Sequence, residues 1–303
     1  MPASTTSRLA RLRSHATGES HQKSYQSIQT LPPATPILSE PLSTQEQLEG
    51  AIFDKMHTLR FIPRQGDGDF FQPFGIRSVA PSPDQLVIEL EPGSVYKEFA
   101  MSIMPAVEQV EDEPYPEVHG VPGLRRRTYE LGLSLFRPGF VGQVIITGVS
   151  VGGWEAAHAA QFGIPHTPDV CPATSHPVHW TQAEQDYAPS MATRFGDPAV
   201  QREHDDHILQ SAMLRRIGLL NRLGSRSTST WRKAGESGIV VELFQKEYDF
   251  DSHDSFIEEM TSSRMSPQLT CADRRVSRND RYRIIQFTTP RSEGSLDIRL
   301  RPP

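Results

Sequence analysis

The chain has 303 residues, of which 36% are hydrophobic and 22% charged. That usage excludes a chain disordered throughout and one built around membrane spans, and no apolar run reaches the roughly eighteen residues a transmembrane helix needs. The formal net charge of −6, from 31 basic and 37 acidic side chains, excludes a protein that coats nucleic acid over its whole surface, because such a surface must be basic. Any nucleic-acid contact would have to come from a local basic segment.

Residues 1–42 read as a disordered, basic and Pro-rich arm. They are rich in Ser, Thr, Pro and Gln and almost free of aromatics, and the first acidic residue is Glu19. Arg8, Arg11, Arg13 and Lys23 are the side chains such an arm would place on phosphates. The first 18 residues carry Arg and Ser without acid, a composition that also fits a mitochondrial presequence. Pro32, Pro33, Pro36 and Pro41 follow as a stiff extended linker.

Folding is expected from Ser43 onward, as a single domain over 43–303. Ser43-x-x-Glu46 has the capping-box pattern, and Leu48, Ile52, Phe53 and Met56 then share a helical face. Short apolar runs at 75–80 and 85–91, split by Pro81-Ser-Pro83, predict a strand pair. The spacing of Val95, Phe99, Ile103 and Val107 predicts a helix over 94–110, which Pro105 must kink or stop. Residues 108–117 read as an acidic loop and Arg125-Arg126-Arg127 as a candidate anion contact. Thr128–Phe136 and Val141–Val151 form an antiparallel hairpin around Arg137-Pro138-Gly139. Trp180 with Thr181-x-x-Glu184 opens a short capped helix. A long helix starts at Asp197-Pro198 and runs to Gly224, in the place of a C′ glycine. Strands are expected at 227–232, 238–246, 283–289 and 296–300. No internal repeat is evident. The fold class is α+β, mostly antiparallel sheet with a few packed helices behind the disordered arm.

Three groups of residues carry chemistry. Gly148-Val-Ser150-Val-Gly152 follows a β-branched run and precedes a helix-like segment, and so resembles the nucleophile elbow of α/β-hydrolases. That resemblance implies a serine hydrolase with Ser150 as nucleophile and a histidine such as His207 or His253 as base. Residues 137–142, which lead from the first run into the second, are too few for the crossover that such a fold requires. Six of the eleven histidines fall between His158 and His207. His176-x-x-His179 and His204-x-x-His207, with acidic neighbours, are candidate metal ligands. His204-Asp205-Asp206, with His253 and Arg264-Met265-Ser266 beyond it, resembles the H-x-D…H…R-x-S set of iron/2-oxoglutarate oxygenases, which implies a two-His, one-carboxylate iron site.

No phosphate-cradling glycine loop is present and no cofactor is expected. Two cysteines, Cys171 and Cys271, and no apolar leader point to an intracellular, cytoplasmic chain with reduced thiols. The leading expectation is a non-enzymatic structural or interaction protein. It would self-associate as a homo-oligomer, with no membrane span and with the arm touching nucleic acid. The alternatives are hydrolysis by Ser150 and, after it, a metal-dependent enzyme using residues 158–207.

Overall fold

A computed structural model of the chain describes residues 4–56, 73–91, 99–100, 102–108, 117–130, 132–150, 152–154, 180–188, 191, 197–233, 236–245, 250–277 and 282–301. Among them the architecture is α+β, built on two five-stranded mixed sheets.

The two sheets repeat one plan. In the first, β1 (Ile76–Pro81) and β2 (Gln85–Leu90) form a hairpin. β7 (Gln143–Thr147) lies parallel to β2, and β6 (Gly132–Phe136) and β5 (Arg125–Tyr129) extend outward from β7, each antiparallel to its neighbour. In the second, β8 (Ser225–Arg232) and β9 (Gly238–Gln245) form the hairpin. β12 (Ser292–Arg301) lies parallel to β9, followed by β11 (Arg283–Thr289) and β10 (Thr270–Val276). The register repeats too. Gln85 pairs with Gln143 as Gly238 pairs with Ser295, and Leu133 with Ile146 as Ile285 with Ile298. Only Leu86-Val-Ile-Glu-Leu90 against Ile239-Val-Val-Glu-Leu243 keeps a visible trace of the duplication. The burial on these strands, alternate in β2 and nearly continuous in β9, explains why: a sheet face requires apolar residues, not particular ones. A third, two-stranded sheet of β3 (Ala106–Glu108) and β4 (Glu117–His119) follows the helical residues 99–100 and 102–103, ahead of Pro105.

Each sheet is covered by the helix that precedes its hairpin. α3 (Ser43–Lys55) packs on β7, and α5 (Asp197–Leu214) on β9 and β12. α3 and α5 then pack on each other and join the two units. The helices come close because Gly50 lies against the backbone of His207, where any Cβ would sit 2.5 Å from the His207 Cα. Their shared surface is polar. Glu49 accepts from Arg215 Nε and Nη2, both at 2.7 Å, and from Ser211 at 2.6 Å. Glu46 takes both Nη atoms of Arg291 at 2.9 and 2.8 Å. Glu46 therefore does not close a capping box on Ser43: the residue before the helix is Leu42 and makes no side-chain cap. The long helix expected from Asp197 to Gly224 breaks at Arg215-Arg216 and resumes as α6 (Ile217–Arg222).

The arm expected over 1–42 is structured from residue 4. α1 (Thr5–Thr17) and α2 (His21–Thr30) are capped by the hydroxyls of Ser4 and Ser20 and bury Ala10, Ala16 and Ile28. Ile37 and Leu38 of the proline segment are also buried. α1 packs on α6 at a contact only glycine permits, since a Cβ on Gly218 would lie 2.4 Å from the Gly18 nitrogen. Small residues and close backbone approach replace the apolar stripe by which a helix is usually read. Thr270–Val276 (β10) and α7 (Phe250–Met260) are further elements that the sequence reading did not assign. No helix among the described residues is long and apolar enough to cross a membrane.

Candidate functional site

The strand before Ser150 pairs antiparallel with β6, in the register Leu133↔Ile146 and Leu135↔Val144. The six residues 137–142 form the turn between them, so no crossover precedes the G-x-S-x-G. Ser150 is exposed, and its Oγ accepts the Gly153 N–H at 3.0 Å while its carbonyl accepts the Trp154 N–H at 3.0 Å. Gly153 N–H is the one hydrogen-bond partner of that hydroxyl among the described residues, and its role is to cap a helical turn. His207 and His253 are buried in α5 and α7, and neither is bonded to Ser150. The pairing leaves no crossover ahead of the G-x-S-x-G, and Gly148, with a φ of +81°, stands at the strand end.

His176, His179 and the other histidines from 158 to 179 lie outside the described residues, as do Cys171 and most of the acidic loop. Among the described residues no group of three or more His, Cys, Asp or Glu is placed to hold a metal. His204 lies on α5. The H-x-D that begins there is helical, where the oxygenase resemblance implies a strand edge. Asp206 is turned to structure, accepting the Gly238 N–H at 2.5 Å.

The four basic residues expected to touch nucleic acid divide into two kinds. Arg8, Arg11 and Lys23 are exposed on α1 and α2. Arg13 is buried, pairs with Glu19 at 2.8 Å and donates to the Ile37 carbonyl at 2.6 Å; it holds the segment folded. Arg125, expected in an anion contact, is fully buried and its two Nη atoms take Glu184 at 2.9 and 2.7 Å. On the outer face of the second sheet, Arg299 stacks on Trp231 and Tyr282, and Arg301 on Phe244. Glu242 accepts from both guanidiniums, so one of the two positive charges on this face is offset internally.

The sequence reading missed a concave site, a cavity of about 620 Å3 at the junction of the two units, within the size range of small-molecule sites. Its walls come from α3 (Gln47, Asp54, Lys55), α5 (Glu203, His207), the β6–β7 turn (Arg137) and the segment around α4 (Gln182–Gln185), which brings Trp180, Glu184 and Tyr187. Thr181 and Glu184 complete the capping box the sequence predicted. Glu184 also accepts the Gly123 N–H at 2.8 Å, and Gly123 lies flat under the Trp180 ring, where a Cβ would approach ring carbons to 2.5 Å. Trp180 Nε1 donates to the Pro138 carbonyl at 3.1 Å and so ties the turn bearing Arg137 to this segment.

Most charges in the wall are paired. Asp54 takes Arg232 Nε at 2.7 Å and Gln210 at 3.1 Å. Burial pushes its carboxyl up, but Arg232 outweighs this and holds it at about 2. Glu203 pairs with Arg232 at 3.3 Å, and Lys55 lies 3.8 Å from Asp54. Burial raises the Glu184 carboxyl, and the hydrogen bonds from Arg125, Thr181 and Gly123 overcome that and hold it low. Burial and the nearby Glu203 push the Tyr187 hydroxyl up to about 12.

Arg137 is different. Its guanidinium stacks on Phe140 and Trp180, 5.4 and 6.0 Å from the ring centroids. Its Nε is buried without an acceptor, and among the described residues it makes no hydrogen bond or ion pair. Burial pushes its pKa down to about 10, against the partial support of Glu203, Tyr187 and Glu184. No sequence signal marks this residue: it stands in a turn, and its neighbours come from segments about forty and sixty residues away. No protein-family model, curated protein or solved structure matches the chain.

Proposed function

We propose that the protein is a binding and interaction module rather than a catalyst, and that its ligand enters the cavity between the two units. The observation that carries this is Arg137. Arg137 is half-buried and its Nε is shut away without an acceptor; a guanidinium partly withdrawn from water with no anion destabilises the fold that holds it, and stacking on two rings offsets only part of that. Such a group is retained where a ligand completes it. The paired state of Asp54, Glu184 and Glu203 supports the same reading, since these carboxylates are committed to guanidiniums rather than poised for proton transfer. The test is a small-molecule screen by thermal shift on wild type and on Ala188→Trp, which plugs the cavity from an exposed lining position. Hits whose stabilisation disappears in the plugged variant support the proposal. Hits that all survive it contradict it.

Self-association is a second reading, favoured by β10. This seven-residue strand forms the outer edge of the second sheet and buries none of its side chains fully. An open edge offers unpaired N–H and C=O groups to another strand. Antiparallel pairing of two copies about Arg274 would set Asp273 of each opposite Arg275 of the other. Sedimentation at rising concentration tests it: a dimer lost in Ala272→Pro supports the edge, and a monomer at all concentrations rejects it. The thiol of Cys271 on this strand is reduced in the structure and fits the intracellular setting inferred from composition. A nucleic-acid contact through residues 1–42 would fall to Arg8, Arg11 and Lys23 on packed helices. Salt-dependent binding lost in their triple Ala variant would support it.

A further inference from the structure

The cavity also limits the chemistry of what it takes. A guanidinium presents its donors in a planar fork that matches a carboxylate or a phosphate. Stacking on Phe140 and Trp180 uses the faces of the Arg137 group and leaves its donor edge unused. Charge separates the two anions. Asp54, Glu184 and Glu203 share the wall with Arg137 and Lys55. Arg232, Arg125 and Lys55 already balance those three carboxylates, so Arg137 leaves one positive charge to be met, which a monoanion neutralises and a dianionic phosphate exceeds. One negative charge supplies the acceptor Arg137 lacks and leaves no excess. Tyr187 and the part of Trp180 that lines the cavity then offer apolar surface beside that point.

We propose that the cavity takes a ligand bearing a single carboxylate on a flat, largely apolar body, with the carboxylate on Arg137 and the body against Trp180 and Tyr187. This rests on the cavity being the ligand site. The binding energy divides between a fork interaction that needs the charge and an apolar contact that does not, and the two parts can be measured separately.

The experiment uses indole-3-acetate, its neutral isostere indole-3-acetamide, and phenyl phosphate, each titrated by NMR into wild type, Arg137→Met and Arg137→Lys, with a thermal melt confirming that each variant folds. Wild type should bind the acid at least tenfold more tightly than the amide and more tightly than the phosphate. In Arg137→Met the acid should fall to the level of the amide while the amide is unchanged, and Arg137→Lys should recover part of the preference. Equal binding of acid and amide by wild type, or a preference that survives in Arg137→Met, overturns the carboxylate assignment while leaving the cavity as a ligand site. Tighter binding of phenyl phosphate overturns it in favour of a phosphate. Binding of none of the three to wild type overturns the cavity reading and this inference together.

Discussion

Glu49 on α3 and Arg215, the residue that follows α5, meet as a two-point ion pair, with both N–O distances at 2.7 Å and both side chains out of contact with solvent. This pair joins the two units at the seam where their helices cross. Arg215 also donates to the carbonyls of Ser39 and Ser82, both at 2.8 Å, so one guanidinium links the N-terminal segment, the first hairpin and both seam helices. Removing one partner of a buried pair strands the other charge, a loss of about 3–5 kcal/mol. Glu49→Ala should therefore lower stability to denaturant by about that amount, and Glu49→Ala with Arg215→Met should recover part of it. Equal losses in the single and double variants would show that the pair is not coupled.

The Trp180 wall depends on Gly123, whose φ of +74° and contact with the indole exclude a side chain. Gly123→Ala combines backbone strain with displacement of the ring. It should cost about 1–3 kcal/mol of stability and alter Trp180 fluorescence, measured with Trp154 and Trp231 changed to Phe. An unshifted spectrum would place the ring elsewhere.

Two carboxyls predict opposite pH trends. Burial raises Asp206 from 3.8 to about 7, and Arg232 and the Gly238 N–H only partly offset it. Its folded pKa exceeds its unfolded one, so its contribution to stability is full below about pH 4 and is lost as pH rises through about 7. Asp54, held at about 2 against a usual 3.8, contributes stability above about pH 4 that is lost as pH falls toward 2. In melts against pH, Asp206→Asn should flatten the decline between about pH 4 and 8, because an amide oxygen still accepts from Gly238 and carries no charge to bury. A decline as steep as that of wild type would assign it to other groups.

Among the described residues Ser150 is bonded to the Gly153 N–H and to no imidazole. A fluorophosphonate probe should leave wild type unlabelled, because no general base among those residues touches the hydroxyl to activate it. Labelling that Ser150→Ala abolishes would restore the hydrolase reading.

Sequence patterns show the parts of this fold that depend on periodicity and turns. The β1–β2 hairpin was legible from Pro81-Ser-Pro83 between two apolar runs, β11 from its alternation, and the start of α5 from Asp197-Pro198. α1 was not legible, because Ala10, Ala16, Thr17 and Gly18 bury it through close approach rather than through a stripe of large apolar residues. β10 is an outer edge whose exposed Asp273, Arg274 and Arg275 show no alternation. The duplicated sheet was hidden because its register constrains polarity and not identity. The cavity was illegible for a different reason. Arg137, Trp180, Glu203 and Asp54 come from four segments that only the packing of the two units brings together, and nothing local to Arg137 distinguishes it from any other turn arginine.

The central claim is that Arg137 is kept for a ligand and not for the fold, and the melting temperature of ligand-free Arg137→Met against wild type tests it most directly. Removing a half-buried cation that has no acceptor should leave the melting temperature unchanged or raise it, whereas Arg125→Met, which strands the buried Glu184, should lower it sharply. A fall in Arg137→Met comparable to that in Arg125→Met would make Arg137 a structural residue and remove the basis for a ligand site.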